Sequence, residues 1–189
     1  MAQYPDSRSL VTTAIKFFSY FTILTNTLVA LSMLLPLIAP NSMAGRGLSK
    51  PSVRTAIACY SVIVATVYFV LLRNVGGDER LELVADRLLH YITPVMFTID
   101  WLAFVPRGQV RWTTIATSLI LPILYGLWTL AHGAVTGWYP YRFFNVARIG
   151  YLHTFTNFAV FISMFTVVAL GFVVLDRVLA RFKQQRSSL

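Results

Sequence analysis

Five stretches of this chain run for roughly 18–25 residues each, the length that crosses a hydrocarbon core about 30 Å thick at 1.5 Å per residue. Among them they hold a single Asp, Glu, Lys or Arg, which is Asp100. That pattern leaves few folds open. Inside lipid no water bonds the backbone, so each segment must satisfy its own N–H and C=O groups as a helix. The alternating polarity of a membrane barrel is missing. The expected fold is therefore all-α: one domain, residues 1–189, forming a polytopic transmembrane bundle with about five membrane-spanning helices. The expected spans are 17–39, 55–72, 88–105, 112–132 and 151–175. Charged or turn-forming residues bound them: Lys16 and Pro40-Asn41, Arg54 and Arg73, Arg87 and Pro106-Arg107, Gly133, and Asp176-Arg177.

Charge then sorts the partners. The net charge is +9 and only 12% of residues are charged, against about a quarter in a soluble domain. The 16 Lys and Arg are scattered over every loop and both tails. That suits lipid headgroups rather than a nucleic-acid groove, so membrane lipids are expected as partners and nucleic acid is not. One side of the bundle collects Arg46, Lys50, Arg54, Arg107, Arg111, Arg177, Arg181, Lys183 and Arg186. The other collects Arg8, Lys16, Arg73, Arg80, Arg87, Arg142 and Arg148. The positive-inside rule then expects a multi-pass cell-membrane protein with a cytoplasmic C-terminus. Ser42-Met43-Ala44 has the small residues of a cleavage site, but the apolar stretch before it is too long for a signal peptide. The single cysteine, Cys59, forms no intrachain disulfide and reads as a small core residue.

Between the spans, 74–78 (NVGGD) reads as a turn. Residues 78–87 (DERLELVADR) read either as an amphipathic turn on the membrane surface or as the first turns of the third helix. The longest loop, 133–150, carries Trp138, Tyr139 and Tyr141, which favour the interfacial layer.

Threading the spans places several polar residues at one depth. Thr22 lies about 8 Å into the first span. His90 opens the third, His132 ends the fourth, and His153 opens the fifth, all on the same side. Ser19, Thr22, Thr25 and Asn26 fall on one helical stripe, and His90, Thr93, Phe97 and Asp100 on another. Polar stripes in lipid face other helices or a cavity. Pro94 lacks an N–H, so the His90 carbonyl loses its helical partner and a kink is expected there; Pro122 does the same to Ser118. Each residue also has an ordinary reading. Thr22 can bond its own helix's carbonyls, the histidines can be interfacial, and Asn26 can be interhelical glue. Asp100, near mid-depth, is expected either to act or to pair with a hydroxyl or an indole N–H.

Three segments carry a resemblance: FFSYFTILTNTLVAL (17–31), LLHYITPVMFTIDWLAFVP (88–106) and TGWYPYRFFNVARIGY (136–151). They resemble the Pr6Pr family of bacterial multi-pass membrane proteins. That family is similar, distantly, to the androgen-induced and androgen-dependent TFPI-regulating membrane proteins. The resemblance implies an intramembrane hydrolase of fatty acid esters of hydroxy fatty acids, with a threonine nucleophile and a histidine. Matching Tyr-x-Thr to Tyr20-Phe21-Thr22 places the nucleophile at Thr22; matching on Asn26 places it at Thr25. The histidine maps to His90. Family members carry one more helix upstream of the first motif. Asn145 stands where the family often has Asp, so no acidic partner is implied in that loop.

The expected chemistry follows from those residues. A threonine hydroxyl becomes a nucleophile when a base takes its proton, and His90 has an imidazole suited to that. Thr25 or Asn26 would donate to the oxyanion, with Asp100 a supporting residue. No cofactor is required. Two rivals remain: a non-enzymatic transporter or scaffold built around Asp100, Pro94 and Pro122, and a metal or haem protein ligated by the three histidines.

Overall fold

The computed structural model describes residues 7–73 and 80–187, with the side chains of 7–9 and 186–187 outside that description. The turn expected at 74–78 also lies outside the described residues. Every regular element is helical, with no strand among the described residues. In chain order they are α1 (Ser7–Phe18), α2 (Phe21–Ile38), α3 (Met43–Leu48) and α4 (Pro51–Val67), which runs into a π-helical turn (Tyr68–Leu72). Next come α5 (Arg80–Arg87), a second π turn (Leu88–Ile92) and α6 (Thr93–Phe104). Then follow α7 (Thr113–Ser118), α8 (Ile120–Thr136), a 3-10 turn (Arg142–Phe144) and α9 (Val146–Ser187).

Four helices are long and apolar enough to cross a membrane: Phe21–Ile38, Pro51–Leu72, Thr113–Thr136 and Val146–Gln185. Their outer faces carry large apolar side chains in the open, such as Leu37 (78% exposed) and Val135 (87%). The segment expected as a third crossing is not among the four. It forms the later part of a three-piece helical rod, α5, π turn and α6, and residues 80–87 are its first turns.

α4 is the axis of the bundle, in contact with α2, α6, α7 and α9. Its residues 55–61 (TAIACYS) are buried without interruption, Ala58 and Cys59 completely. A helix enclosed on all sides is apolar all round. Small side chains there let neighbouring backbones approach, and between helices in lipid such close packing is what holds them. Cys59 is a core residue of this kind, its Sγ 3.5 Å from the Phe165 carbonyl.

The first, fourth and fifth spans differ from expectation, for local as well as tertiary reasons. The first span does not begin at 17: the helix breaks at Ser19–Tyr20, with Tyr20 extended. Side chains of α8 hold the break, as the Tyr125 hydroxyl donates to the Ser19 carbonyl (2.9 Å) and Trp128 Nε1 donates to the Ser19 hydroxyl (3.1 Å). Ser19 therefore leaves the stripe it was expected to share with Thr22. The fourth span bends at Leu119 between α7 and α8, where Pro122 removes a helical donor. It then continues past His132 to Thr136.

The fifth span begins at Val146, bends at Gly150, and runs on to Ser187. Gly150 has φ 76°, a left-handed geometry that a side chain would strain. Within the extension Asp176, fully buried, accepts from the N–H groups of Gly108 (3.0 Å) and Val110 (3.1 Å). One carboxylate thus ties the α6–α7 loop to α9. Asp176→Ala leaves both donors unpaired and is expected to cost about 2 kcal/mol. Thermal unfolding in detergent and faster proteolysis within 105–112 would register the loss.

Candidate active site

The site starts from proline chemistry. Pro94 cannot donate to the helix behind it, and the chain answers with the π turn over Leu88–Ile92, where the Thr93 N–H reaches back five residues to Leu88. Such turns widen a helix by one residue and often mark functional sites. A second π turn ends α4, with the Arg73 N–H bonded to the Tyr68 carbonyl at 2.8 Å. The Leu88–Ile92 turn packs on α2 and α4.

There α2 and the rod meet through their polar side chains. The Thr22 Oγ1 and the His90 Nε2 are 3.3 Å apart, and both residues are buried. His90 Nδ1 lies 3.1 Å from the Asp86 carbonyl oxygen, which can only accept. The ring proton therefore sits on Nδ1, which leaves Nε2 as an acceptor for the Thr22 hydroxyl. The Asp86 carboxylate stands 3.6 Å from the same Nδ1. Tyr68 stacks on the imidazole (centroids 3.9 Å apart, planes 13° from parallel) and donates its hydroxyl to Asp86 Oδ2 at 3.2 Å.

Asn26 fixes the approach of the two segments. Its Nδ2 donates to the Thr22 carbonyl (2.9 Å) and to the Leu89 carbonyl (3.2 Å). Both amide hydrogens are thus engaged, so the expectation that Asn26 serves an oxyanion gives way to its role as interhelical glue. Thr25 is buried, but its hydroxyl has no hydrogen-bond partner, His90 included.

Asp100 stands elsewhere. It ion-pairs with Arg54 of α4, whose guanidinium also rests over Phe97, 5.8 Å from the ring centroid. Ten residues separate Asp100 from His90, about 15 Å along a helix, so it does not support the Thr22–His90 pair. The expected hydroxyl or indole partner is absent because the Trp101 indole donates to Thr55 Oγ1 (2.8 Å) instead. The other histidines do not join His90. His132 stacks on Trp128 and meets the edge of Trp138, and His153 Nδ1 faces its own helix's Ile149 carbonyl. Among the described residues no group of three or more His, Cys, Asp or Glu side chains is placed to hold a metal ion.

Thr22 also lines a narrow pocket of about 50 Å³ with aliphatic and aromatic walls, the aromatic ones being Phe21, Tyr125, Tyr141, Phe143, Phe144, Phe158, Phe161 and Phe165. Gly126 makes room for one wall, since a Cβ there would strike the Phe158 ring. The 137–145 loop, expected at the interface, folds inward. It buries Phe144 and brings the Tyr141 hydroxyl against Thr22. Burial raises the Tyr141 phenol above its ordinary pKa, so it stays protonated and able to donate. Asn145 accepts from the Arg148 N–H (3.1 Å) and caps the start of α9.

Sequence reading missed Asp86, Tyr68 and Tyr141. Asp86 had a signal, four residues before His90 on one helical face. Tyr68 and Tyr141 had none, because each arrives from a different part of the chain.

Fold and site together define a class: an all-helical chain of membrane-crossing character with a buried hydroxyl–imidazole pair beside an aromatic pocket. Neither protein-family models nor curated proteins nor solved structures give a match to it.

Proposed function

We propose that this protein is an intramembrane hydrolase of lipid esters, with Thr22 as nucleophile and His90 as base. The observation that carries the reading is the buried 3.3 Å contact between Thr22 Oγ1 and an imidazole nitrogen free to accept. The pocket reaching Thr22 is narrow, but its apolar and aromatic lining has the chemistry that receives an acyl chain. In this reading α5, its π turn and α6 make a fifth crossing, and the basic end of α9 faces the cytoplasm. The resemblance to the Pr6Pr family and its distant relatives agrees with the chemistry and suggests an ester of a hydroxy fatty acid as substrate.

The Thr22 oxygen attacks the ester carbonyl as its proton passes to His90 Nε2. The tetrahedral intermediate collapses, the alcohol leaves with that proton, and the acyl group remains on Thr22. Water, deprotonated by the same nitrogen, then releases the acid and restores the hydroxyl. The protonated Tyr141 phenol, beside Thr22 and in the pocket wall, is the donor for the developing oxyanion. Tyr141→Phe is expected to lower kcat by about 10²-fold, the usual loss for one such donor, with KM little changed.

The deciding experiment treats the protein in vesicles with a fluorophosphonate probe and maps the modified residue, alongside turnover of a lipid-ester panel. Phosphonylation at Thr22 and ester cleavage support the proposal; absence of both sinks it. Uptake of solute into the same vesicles without ester cleavage would favour the transporter reading instead.

A further inference from the structure

The pair at the centre of the proposed function has company that the proposed reaction does not require and the geometry explains. Three contacts link four residues in series. Tyr68 Oη donates to Asp86 Oδ2 at 3.2 Å, Asp86 Oδ1 faces His90 Nδ1 at 3.6 Å, and His90 Nε2 meets Thr22 Oγ1 at 3.3 Å. The Tyr68 ring also lies flat on the imidazole, so the tyrosine both clamps the histidine and steers the carboxylate. The two residues that flank His90 in this way sit at the two π turns: Tyr68 opens the one and Asp86 stands two residues before the other. Neither side chain lines the pocket at Thr22.

We infer that Asp86 is a positioning residue whose carboxylate balances the charge His90 gains when it takes the Thr22 proton, and that Tyr68 holds that carboxylate in place. The inference rests on the hydrolase reading and adds a third member to its machinery. The labour divides between two parts of one residue. The Asp86 backbone carbonyl, closer to Nδ1 at 3.1 Å, fixes the tautomer. The carboxylate supplies charge, which the carbonyl cannot. At 3.6 Å the carboxylate acts by charge rather than by a hydrogen bond, and the attraction is felt when the imidazolium forms rather than when substrate binds.

That division makes a specific prediction. Where an aspartate also sets the tautomer, its loss costs about 10⁴-fold in kcat. Here the carbonyl keeps the tautomer, so Asp86→Asn is expected to lose less, about 10- to 100-fold in kcat, with KM unchanged. Asparagine is the same shape and can still accept from Tyr68, so the change removes charge and little else. Asp86→Glu should recover part of the loss. Tyr68→Phe keeps the stacked ring and removes the donor, and should cost a few-fold in kcat.

The test measures kcat and KM for a p-nitrophenyl acyl ester, and the rate of fluorophosphonate labelling, on the full-length protein in detergent micelles. Melting temperature is read on the same samples. Support is a parallel fall of kcat and labelling rate in Asp86→Asn with unchanged KM and melting temperature, and partial return in Asp86→Glu. Wild-type kcat in a folded Asp86→Asn protein would overturn the inference and leave the Thr22–His90 pair standing. If Asp86→Asn does not fold, Tyr68→Phe decides, and wild-type kcat there overturns it. No turnover and no labelling in the wild type removes the hydrolase reading, and this inference with it.

Discussion

Thr22→Ala is expected to lower ester turnover by at least about 10³-fold, because removing the proposed nucleophile leaves only the catalysis that binding and oxyanion donors supply. The fold should survive. Alanine is the best helix former, and the tether between segments runs from Asn26 to the Leu89 carbonyl, which the substitution does not touch. The lost hydroxyl is the one that meets His90. Thr25→Ala is the natural control, since that hydroxyl is buried with no hydrogen-bond partner, and it should retain turnover close to wild type. The comparison decides between the two alignments the sequence leaves open. Loss in Thr25→Ala with retention in Thr22→Ala would move the nucleophile one turn along α2. Retention in both would remove the threonine mechanism. The readout is kcat on vesicle-embedded protein, with probe labelling as a second measure.

The second large effect concerns stability. Asp100→Ala is expected to destabilise the bundle by about 3 kcal/mol, since it leaves a largely buried Arg54 guanidinium without its counter-ion. The arginine's surroundings offer little compensation: the Met33 sulfur, the face of Phe97, and an Nε that already lacks a partner. Replacing both, as Arg54→Met with Asp100→Leu, should restore most of the loss, because an apolar pair of similar size avoids the desolvation of two charges. Unfolding in detergent measures both variants. Turnover per folded molecule should be unchanged in each, as the pair lies about 15 Å along the rod from His90. A selective loss of activity without loss of stability would return Asp100 to the site.

Particular elements show what could be read in advance. Length and apolarity gave the expected spans 17–39, 55–72, 112–132 and 151–175, and helices at 21–38, 51–72, 113–136 and 146–185 overlap them, because a run that long in lipid has one way to satisfy its backbone. Pro94 and Pro122 told where the helical ladder would be disturbed, since a missing N–H is a local fact. The break at Ser19–Tyr20 was hidden, because Tyr125 and Trp128 hold it from more than a hundred residues away. Thr22 and His90 were legible as a pair at one depth. Their company was not. Tyr68 reads as one more apolar residue in its span and Tyr141 as an interfacial aromatic, while Asp86 shows only its spacing, four residues before His90. Asp100 drew attention as the lone charge in the spans, yet its partner Arg54 was hidden as a flanking residue.

Sequence alone determined what each segment can be, since helix formation in lipid and the loss of a donor at proline depend on neighbours within a few residues. Which side chains meet was decided only in the folded bundle. Contact between α2 and the rod, and the inward fold of the 137–145 loop, depend on how helices pack around the small-residue face of α4. That packing is set by the shapes of surfaces distant in the chain, and no local pattern encodes it.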